Sequence, residues 1–219
     1  MKIFLKLVQF SVIALFITGC AKTEKIEMTS TSVGHSRITN FPLLSLLGDD
    51  YMAVPVGGTF TEPGADATIG GEAVAYTTEG TVDLTTAGVY ALTYTAKNAD
   101  GFSVSATRFV AVYSTDASAA ANDFSGNYRR PATGVVNTWV KLAPGVYKVI
   151  NPGGAPGQGL IAVLFNPTGT TIFIPEQPTN DGNTTASNSE TYTVGTPSTY
   201  TMRILNPGYG TAIRSFVKL

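Results

Sequence analysis

The sequence predicts an all-β protein with two domains, on three observations. Only 13% of its 219 residues are charged, whereas 23 are glycine and 12 are proline, a composition that favours short strands joined by tight turns. Several stretches alternate apolar and polar residues, as half-buried strands do. The charge also divides the chain, because residues 40–113 hold eight acids and two bases and residues 124–219 hold three acids and seven bases. Two halves of opposite charge indicate two domains, which could present complementary faces to each other.

The start of the chain is typical of an export signal. Two lysines precede an apolar run that ends at Ile17, and this run is shorter than the ~20 residues that span a bilayer. The stretch Ile17-Thr18-Gly19-Cys20 resembles the lipobox of bacterial lipoproteins, in which the cysteine becomes the lipid-bearing N-terminus. We therefore expect a lipoprotein signal peptide over residues 1–19 and a membrane anchor through lipid on Cys20.

Residues 20–39 are polar and rich in Ser and Thr, which predicts a flexible tether between the lipid and the first domain. Cys20 is the only cysteine, so no disulfide can form within the chain. The one histidine, His35, falls in this tether, and the chain lacks the partners that a catalytic triad or a zinc site would need.

The strands of the first domain are predicted from alternating runs bounded by glycine turns. The last two form the clearest hairpin, because a Gly-containing four-residue turn joins them. Tyr90, Leu92 and Tyr94 share one face and are predicted core residues. Arg108 interrupts the apolar face of the last strand, which suggests a bulge or a strand edge. The strands are expected at residues 51–55, 59–60, 72–78, 81–84, 89–96 and 102–113.

Short motifs follow one another in a set order through residues 40–113. They are Gly57-Gly58-Thr59-Phe60-Thr61-Glu62-Pro63-Gly64-Ala65, Gly88-Val89-Tyr90, Thr93-Tyr94-Thr95-Ala96 and Asp100-Gly101. This order resembles a bacterial immunoglobulin-like domain that recurs in Bacteroidetes outer-membrane lipoproteins and has a relative in pesticidal crystal proteins. The resemblance implies an immunoglobulin-like β-sandwich that serves as a spacer or adhesive module, with no activity of its own.

A second β domain is predicted over residues 124–219, after a small, polar linker at residues 114–123 with room for one helical turn. We expect an antiparallel sandwich or barrel-like fold. The motifs Phe124-Ser125-Gly126-Asn127-Tyr128 and Pro144-Gly145-Val146-Tyr147 resemble the C-terminal domain of unknown function that follows this immunoglobulin-like domain in lipoproteins found near starch-utilisation-type glycan importers. The strands are expected at residues 126–130, 135–143, 146–151, 160–165, 170–174, 190–194, 199–206 and 211–219.

The remaining polar clusters are weak candidates for chemistry, so we expect no enzyme, no cofactor and no metal. A glycosidase needs two positioned carboxyl groups, but the acids of the second domain fall in or beside the loop at residues 175–189 and are predicted to be solvated. The glycine-rich residues 153–159 lack the Lys-Ser or Lys-Thr of a phosphate loop and predict a mobile loop. Acids of the first domain could bind calcium, although a solvated acidic surface is the simpler interpretation. The acids concerned are Glu176, Asp181 and Glu190 in the second domain, and Asp49, Asp50, Asp66, Asp83 and Asp100 in the first.

Trp139 is the most suggestive residue for function. Alternation places Val136, Thr138, Val140 and Leu142 on the apolar face of their strand, so Trp139 is predicted on the opposite, polar face beside Asn137 and Lys141. An exposed Trp among polar groups could stack on a sugar ring, and the alternative is that a second sheet or the first domain covers this face. The other residues proposed for this ligand site are Arg129, Arg130, Tyr128 and Tyr209, with Tyr147 as a further aromatic platform.

Together these features predict a non-catalytic lipoprotein of the outer membrane, facing the cell surface rather than the periplasm. Its expected task is to bind or present carbohydrate beside a glycan import complex. The excess of bases in the second domain favours a sugar chain that carries carboxylate or sulfate. The alternative is a structural or adhesive spacer that binds protein. No nucleic-acid partner is expected.

Overall fold

The computed structural model describes Ser32, Val33 and residues 36–219. The predicted signal peptide, Cys20 and His35 lie outside the described residues. Within the predicted tether, β1 (Ser32–Val33) and β2 (Ser36–Arg37) pair as a small antiparallel hairpin. Residues 40–219 form one compact unit. No helix in the described part of the chain is both long and apolar enough to cross a membrane.

The first half of the compact unit is a β-sandwich, as predicted. Its strands are β3 (Pro42–Leu46), β4 (Tyr51–Pro55), β5 (Ala65–Ile69), β6 (Glu72–Ala73), β7 (Tyr76–Glu79), β8 (Gly88–Lys97) and β9 (Ser103–Tyr113). One sheet has the order β3-β5-β6 and the other the order β4-β9-β8-β7. β4 runs parallel to β9, and the other pairs are antiparallel. No strand forms at residues 59–60 or 81–84, so those two predictions are wrong.

The core between these two sheets is the one that alternation predicts. Leu92 and Tyr94 are buried there with Val110 and Val112, and Tyr90 packs against them from a partly exposed position. The hairpin of β8 and β9 is also confirmed. Its turn is closed by Asn98, whose Oδ1 accepts a hydrogen bond from Phe102 N at 2.8 Å. β5 escaped prediction because its buried residues, Ala65 and Ala67, are too small to give a clear apolar signal.

Arg108 marks neither a bulge nor an edge, which corrects the prediction. β8 and β9 pair without interruption along their length, and the Arg108 side chain is fully buried. Its Nε lies 2.9 Å from Glu62 Oε1, and its terminal nitrogens donate to the carbonyl oxygens of Asp49, Leu47 and Gly64. Arg108 therefore ties two loops to the middle of the sheet.

The second half of the unit is an antiparallel, nearly closed barrel. Its strands are β10 (Gly126–Arg129), β11 (Val136–Ala143), β12 (Val146–Ile150), β13 (Ile161–Phe165), β14 (Gln177–Pro178), β15 (Thr184–Thr193), β16 (Thr199–Leu205) and β17 (Arg214–Lys218). They form one eight-stranded sheet in the order β13-β12-β11-β10-β17-β16-β15-β14. The predicted strand at residues 170–174 is reduced to a single bridge between Phe173 and Phe165. The predicted loop at residues 175–189 instead contains β14 and the first half of β15.

A glutamine side chain helps to close the barrel between β13 and β14. Gln177 Oε1 accepts a hydrogen bond from Val163 N at 2.8 Å, and Gln177 Nε2 donates to Val163 O at 2.7 Å. The amide thereby satisfies the backbone groups that a neighbouring strand would otherwise pair. This contact lies where the two ends of the sheet meet.

The segment between the two domains is tied to the barrel. It contains one helical turn, α1 (Ala117–Ala120), whose first backbone amides are capped by Asp116. Asp116 N donates to Pro167 O at 2.9 Å, Thr115 Oγ1 donates to Pro144 O at 2.9 Å, and Asn122 Nδ2 donates to Gly169 O at 2.6 Å. In the middle of the linker, Ser118 Oγ accepts a hydrogen bond from Gly169 N at 2.7 Å, so the linker is hydrogen-bonded to the barrel near both ends and in its middle.

The sandwich and the barrel share an apolar core. Tyr51, Phe109 and Ala111 lie on the face of the four-stranded sheet that points away from the sandwich interior, and they pack against Val163 and Phe165 of the barrel. This contact buries β9 on both faces, which explains why five consecutive residues of that strand, 108–112, are all buried.

Candidate functional site

Trp139 lies inside the barrel and not on a polar surface, so its predicted exposure is wrong. Its side chain is 1% exposed. Ring centroids of Tyr200, Tyr128 and Tyr147 lie 4.9, 5.0 and 5.8 Å from that of Trp139. Val136 and Val140 are 42% and 40% exposed. The predicted alternation of β11 is real, but inside and outside are exchanged.

The size of the side chains explains why the inner and outer faces of β11 are the reverse of those predicted. A nearly closed eight-stranded barrel has an interior that side chains must fill, and the large rings do so. Valine is favoured on exposed strand faces by its β-branched shape alone. The interior is built from one or two large apolar residues on most strands, including Tyr128, Trp139, Tyr147, Tyr192, Tyr200, Met202 and Phe216.

The other predicted platforms beside Trp139 are also interior residues. Tyr128 is fully buried, and its hydroxyl oxygen lies 2.8 Å from that of Tyr192 and donates to Phe124 O at 2.7 Å. Burial and the hydrogen bond with Tyr192 raise the pKa of Tyr128 above its ordinary value. Asn137 is buried too and donates to the hydroxyl of Tyr200. Tyr147 is fully buried and donates to Asn122 O at 3.1 Å. Trp139, Tyr128, Asn137 and Tyr147 therefore cannot contact a ligand unless the barrel opens.

Two of the predicted basic residues are exposed but do not converge on a site. Arg129 is exposed at the end of β10. Lys141 is exposed next to an irregularity in the pairing of β11 with β12, and its Nζ donates to Asn122 O at 2.6 Å. Lys141 therefore helps to hold the linker.

Arg130 and Tyr209, which are far apart in sequence, do come together at one end of the barrel. Arg130 Nη1 donates to Gly154 O at 3.4 Å. The Tyr209 ring lies over the guanidinium of Arg214, with 5.3 Å from Arg214 Cζ to the ring centroid. Burial, and next the positive charge of Arg130, lower the pKa of Arg214. Arg214 was missed because a charged residue at a strand start is normally taken as solvated, although its period-two spacing from Phe216 places both on one face.

The glycine-rich loop packs under this cluster, so the prediction of a mobile loop is wrong for its first half. Gly153 and Gly154 are buried. A Cβ atom on Gly153 would lie 2.1 Å from Tyr209 Cε1, so only glycine allows the Tyr209 ring to approach this closely. The loop is also closed on itself by Asn151, whose Nδ2 donates to Ala155 O at 2.9 Å.

Asp181 is the anchor of an ordered turn beside the same end of the barrel. Its carboxylate accepts hydrogen bonds from Asn206 Nδ2 at 2.9 Å, Thr179 Oγ1 at 2.7 Å and Asn183 Nδ2 at 3.1 Å. Burial raises the pKa of Asp181, but these hydrogen bonds outweigh it and lower the pKa to about 2. Asp181 was predicted to be a solvated loop acid, but its carboxylate is held by hydrogen bonds within the protein.

We expect Asp181→Asn to lower the melting temperature by a few degrees at neutral pH. A carboxylate with a depressed pKa stabilises the fold above its unfolded pKa of about 3.9, and this contribution disappears as the pH falls through the folded value. The difference between variant and wild type should be constant above about pH 5 and shrink between about pH 4 and pH 2. Thermal melts across this range test it, with the exposed Asp66→Asn as the control. A difference that is the same at every pH would contradict the role given to the ionised carboxylate.

Two surface grooves flank the contact between the sandwich and the barrel. One, of about 490 Å³, lies between the Thr93, Ser105 and Thr107 side of the sandwich and the residues around Asn180 of the barrel. The other, of about 470 Å³, is lined by charged residues that include Asp50 and Lys148. Across it Lys148 Nζ lies 3.5 Å from Asp50 Oδ1. This ion pair joins a base of the basic second half to an acid of the acidic first half.

Among the described residues, no group of three or more His, Cys, Asp or Glu side chains is arranged to hold a metal ion. The acidic residues proposed as calcium ligands are therefore not gathered into such a group. Asp83, for instance, accepts hydrogen bonds from the backbone and side chain of Thr85 instead.

The fold and these contacts define a two-domain, all-β module in which a sandwich is fixed to an aromatic-filled barrel. Residues 44–112 match the family described as the bacterial surface protein Ig-like domain. A match to a domain of surface proteins indicates association with the cell envelope. The chain is also similar to the crystal structure of a lipoprotein from Bacteroides thetaiotaomicron, with 23% identity over 82% of this chain and the whole of that one and a TM-score of 0.45. Comparison with curated proteins gives no match.

Proposed function

We propose that the chain is a non-catalytic module of the bacterial cell envelope that holds its barrel domain rigidly on an immunoglobulin-like spacer. The observation that carries the proposal is the apolar core shared by the two domains, in which Tyr51 and Phe109 of the sandwich meet Val163 and Phe165 of the barrel. Burying large apolar side chains from both partners stabilises one relative orientation. The lipid anchor on Cys20 in the outer membrane, facing the cell surface, is part of this proposal and rests on the lipobox resemblance.

The linker supports the same conclusion. A flexible connection between domains is usually exposed and makes few contacts. Here Asp116, Thr115 and Asn122 are all hydrogen-bonded to turns of the barrel. The ion pair between Lys148 and Asp50 adds little, because Asp50 is largely exposed and exposed pairs contribute about 0–1 kcal/mol.

A second candidate function is the presentation of a glycan in the groove of about 490 Å³. The observation in its favour is the row of hydroxyl groups of Thr93, Ser105 and Thr107 along one wall. Thr93 Oγ1 lies 3.1 Å from Thr107 Oγ1, and Ser105 Oγ lies 2.8 Å from the hydroxyl of Thr95 beside the groove. Hydroxyl and amide groups are natural partners for sugar hydroxyls. A glycan array probed with the intact chain separates this candidate from a plain spacer. The placement beside an import complex stays a prediction.

The rigid-spacer proposal predicts a single, narrow distance between spin labels placed on the two domains. Cysteines introduced at the exposed positions Thr61 of the sandwich and Ser215 of the barrel, in a chain with Cys20→Ser, provide the pair for a double electron–electron resonance measurement. A pair within the barrel, at Thr170 and Ser215, gives the width expected for a rigid body. The distribution between domains should be about as narrow as that within the barrel.

A variant with a weakened shared core serves as the comparison for this distance measurement. Phe165→Ala removes a ring from the interface and should broaden the distance distribution between the domains, while the distribution within the barrel stays narrow. A broad or multi-peaked distribution in the otherwise unaltered chain would contradict the proposal, since the two domains would then move independently.

A further inference from the structure

Arg214 is a buried cation that has no counter-ion in contact within the part of the chain that the structure describes. Its side chain points into the barrel end from β17 and is 7% exposed. Two of its guanidinium nitrogens, Nε and Nη1, are buried and have no hydrogen-bond acceptor among the described residues. Among the described residues, the arginine ion pair within 4.0 Å is that of Arg108 with Glu62, and no carboxylate lies this close to Arg214. A buried charge of this kind is costly unless an anion and hydrogen bonds compensate it.

A second arginine, Arg130, adds to the uncompensated positive charge at this end of the barrel. Arg130 directly follows β10, which pairs with β17, the strand that begins at Arg214. Burial, and next the positive charge of Arg130, lower the pKa of Arg214. Among the described residues, the Arg130 side chain makes one hydrogen bond, the 3.4 Å contact with Gly154 O.

Two neighbouring guanidinium groups repel each other in the absence of an anion between them. The acid at this end of the barrel, Asp181, is hydrogen-bonded to Thr179, Asn183 and Asn206 and forms no ion pair with either arginine. Arginine pairs without a carboxylate in contact are typical of sites for carboxylate, sulfate and phosphate groups, because each planar fork offers several N–H donors.

Tyr209 lies between Arg214 and the protein surface. Its ring stacks on Arg214, and its buried hydroxyl has no hydrogen-bond partner in residues 36–219. The same residue lines a surface cavity of about 280 Å³ together with Asn206 and Thr211. Glycine precedes and follows Tyr209 in the sequence, so the backbone on each side can adopt a wide range of conformations. The side chain that covers Arg214 is therefore in contact with a cavity open to solvent.

We infer that Arg130, Arg214 and Tyr209 form a binding site for an oxyanion, a carboxylate or sulfate group carried by a small or extended ligand. The oxygens of such a group would accept the free N–H groups of Arg214 and the hydroxyl of Tyr209, and its negative charge would relieve the repulsion between the two arginines. The site is independent of the rigid-spacer function, because it lies within the barrel and away from the shared core.

The test is anion binding by the intact chain and by methionine variants. Sodium sulfate, sodium glucuronate and neutral glucose are titrated at constant ionic strength with sodium chloride, and binding is followed through the melting temperature and the ¹H–¹⁵N signals of the arginine Nε groups. Sulfate or glucuronate should shift the Arg214 signal and raise the melting temperature, whereas glucose should do neither. Arg214→Met and Arg130→Met should each weaken binding about tenfold or more, and Arg129→Met, an exposed neighbour, should leave it unchanged.

The variants separate the proposal from general salt effects. Sulfate stabilises many proteins by exclusion from their surfaces, and that effect would persist in Arg214→Met. Equal stabilisation of wild type and Arg214→Met, no response of the Arg214 signal to either anion, or equal binding of glucose and glucuronate would each overturn the inference. If Arg214→Met does not fold, the Arg214 Nε signal of the wild type and the affinity of Arg130→Met still decide the question. The relative affinities for sulfate and glucuronate identify which anionic group the site prefers.

Discussion

Trp139→Ala is expected to cost about 3–5 kcal/mol in the free energy of unfolding and to leave the barrel largely unfolded at physiological temperature. The Trp139 ring fills the middle of the barrel, with the rings of Tyr200 and Tyr128 within 5.0 Å and that of Tyr192 at 6.3 Å, measured between centroids. Alanine would leave a cavity that these neighbours cannot close, because each is fixed by its own strand and several by hydrogen bonds. The measurement is urea denaturation followed by far-ultraviolet circular dichroism.

Two matched variants make this result specific. Val140→Ala, next to Trp139 on the outer face of β11, should change the free energy of unfolding by no more than about 0.5 kcal/mol. Trp139→Phe keeps an aromatic ring in the cavity and should cost distinctly less than Trp139→Ala. An alanine variant that melts like the wild type would show that Trp139 is not part of the core and would return it to consideration as a ligand platform.

The sequence predicted the first domain better than the second because its strongest signals are local. The hairpin of β8 and β9 follows from two long alternating runs and a turn, and Leu92 and Tyr94 lie where that alternation places them. The parallel pairing of β4 with β9 joins residues far apart in the chain. No periodicity within either strand encodes that partner, so it could not be predicted.

The error at β11 shows the limit of alternation in a barrel. The pattern identifies two faces but not which of them is inside, and Val136 and Val140 seemed the better core residues than Asn137 and Trp139. The correct signal lay in the neighbouring strands. Each of β10, β12, β15, β16 and β17 carries an aromatic residue that packs in the same interior. Burying the large Trp ring among these rings is more favourable than exposing it to water.

The sequence predicted two of the three residues of the candidate anion site. Arg130 and Tyr209 were chosen for their chemistry, and the fold brings them to the same end of the barrel. Arg214 was not chosen, and the proximity of the three residues depends on the pairing of β10 with β17 and on the close packing of Gly153 against Tyr209. Such proximity is a property of the closed sheet and not of any one stretch of sequence.

Arg108→Met is expected to be the most damaging change in the sandwich, at about 3–5 kcal/mol. The guanidinium is fully buried and compensates four oxygen atoms, those of the Glu62 carboxylate and of the Asp49, Leu47 and Gly64 carbonyls. Methionine fills a similar volume but removes the guanidinium donors from all four oxygens. Glu62 Oε1 and Gly64 O keep the backbone donors Gly64 N and Leu47 N, whereas the carbonyls of Asp49 and Leu47 lose the Arg108 donor, and a buried unsatisfied polar group costs about 1–3 kcal/mol. Arg203→Met, at a partly exposed arginine of β16, is the control and should change stability by about 0.5 kcal/mol or less.

Lysine and a double variant distinguish the hydrogen-bond network from charge alone. Arg108→Lys keeps the positive charge, but a single ammonium cannot reproduce the fork that reaches Leu47 O at 2.7 Å and Gly64 O at 3.0 Å, so it should recover only a small part of the loss. If charge pairing with Glu62 dominates, Arg108→Met combined with Glu62→Gln should be nearly as stable as Glu62→Gln alone. If the carbonyl network dominates, as the geometry indicates, the double variant should remain close to Arg108→Met, since the Asp49 and Leu47 carbonyls still lack the guanidinium donors. Urea denaturation of the wild type, the two single variants and the double variant forms a thermodynamic cycle that measures this coupling directly. A lysine variant as stable as the wild type would contradict the network and leave charge as the reason for an arginine at this buried position.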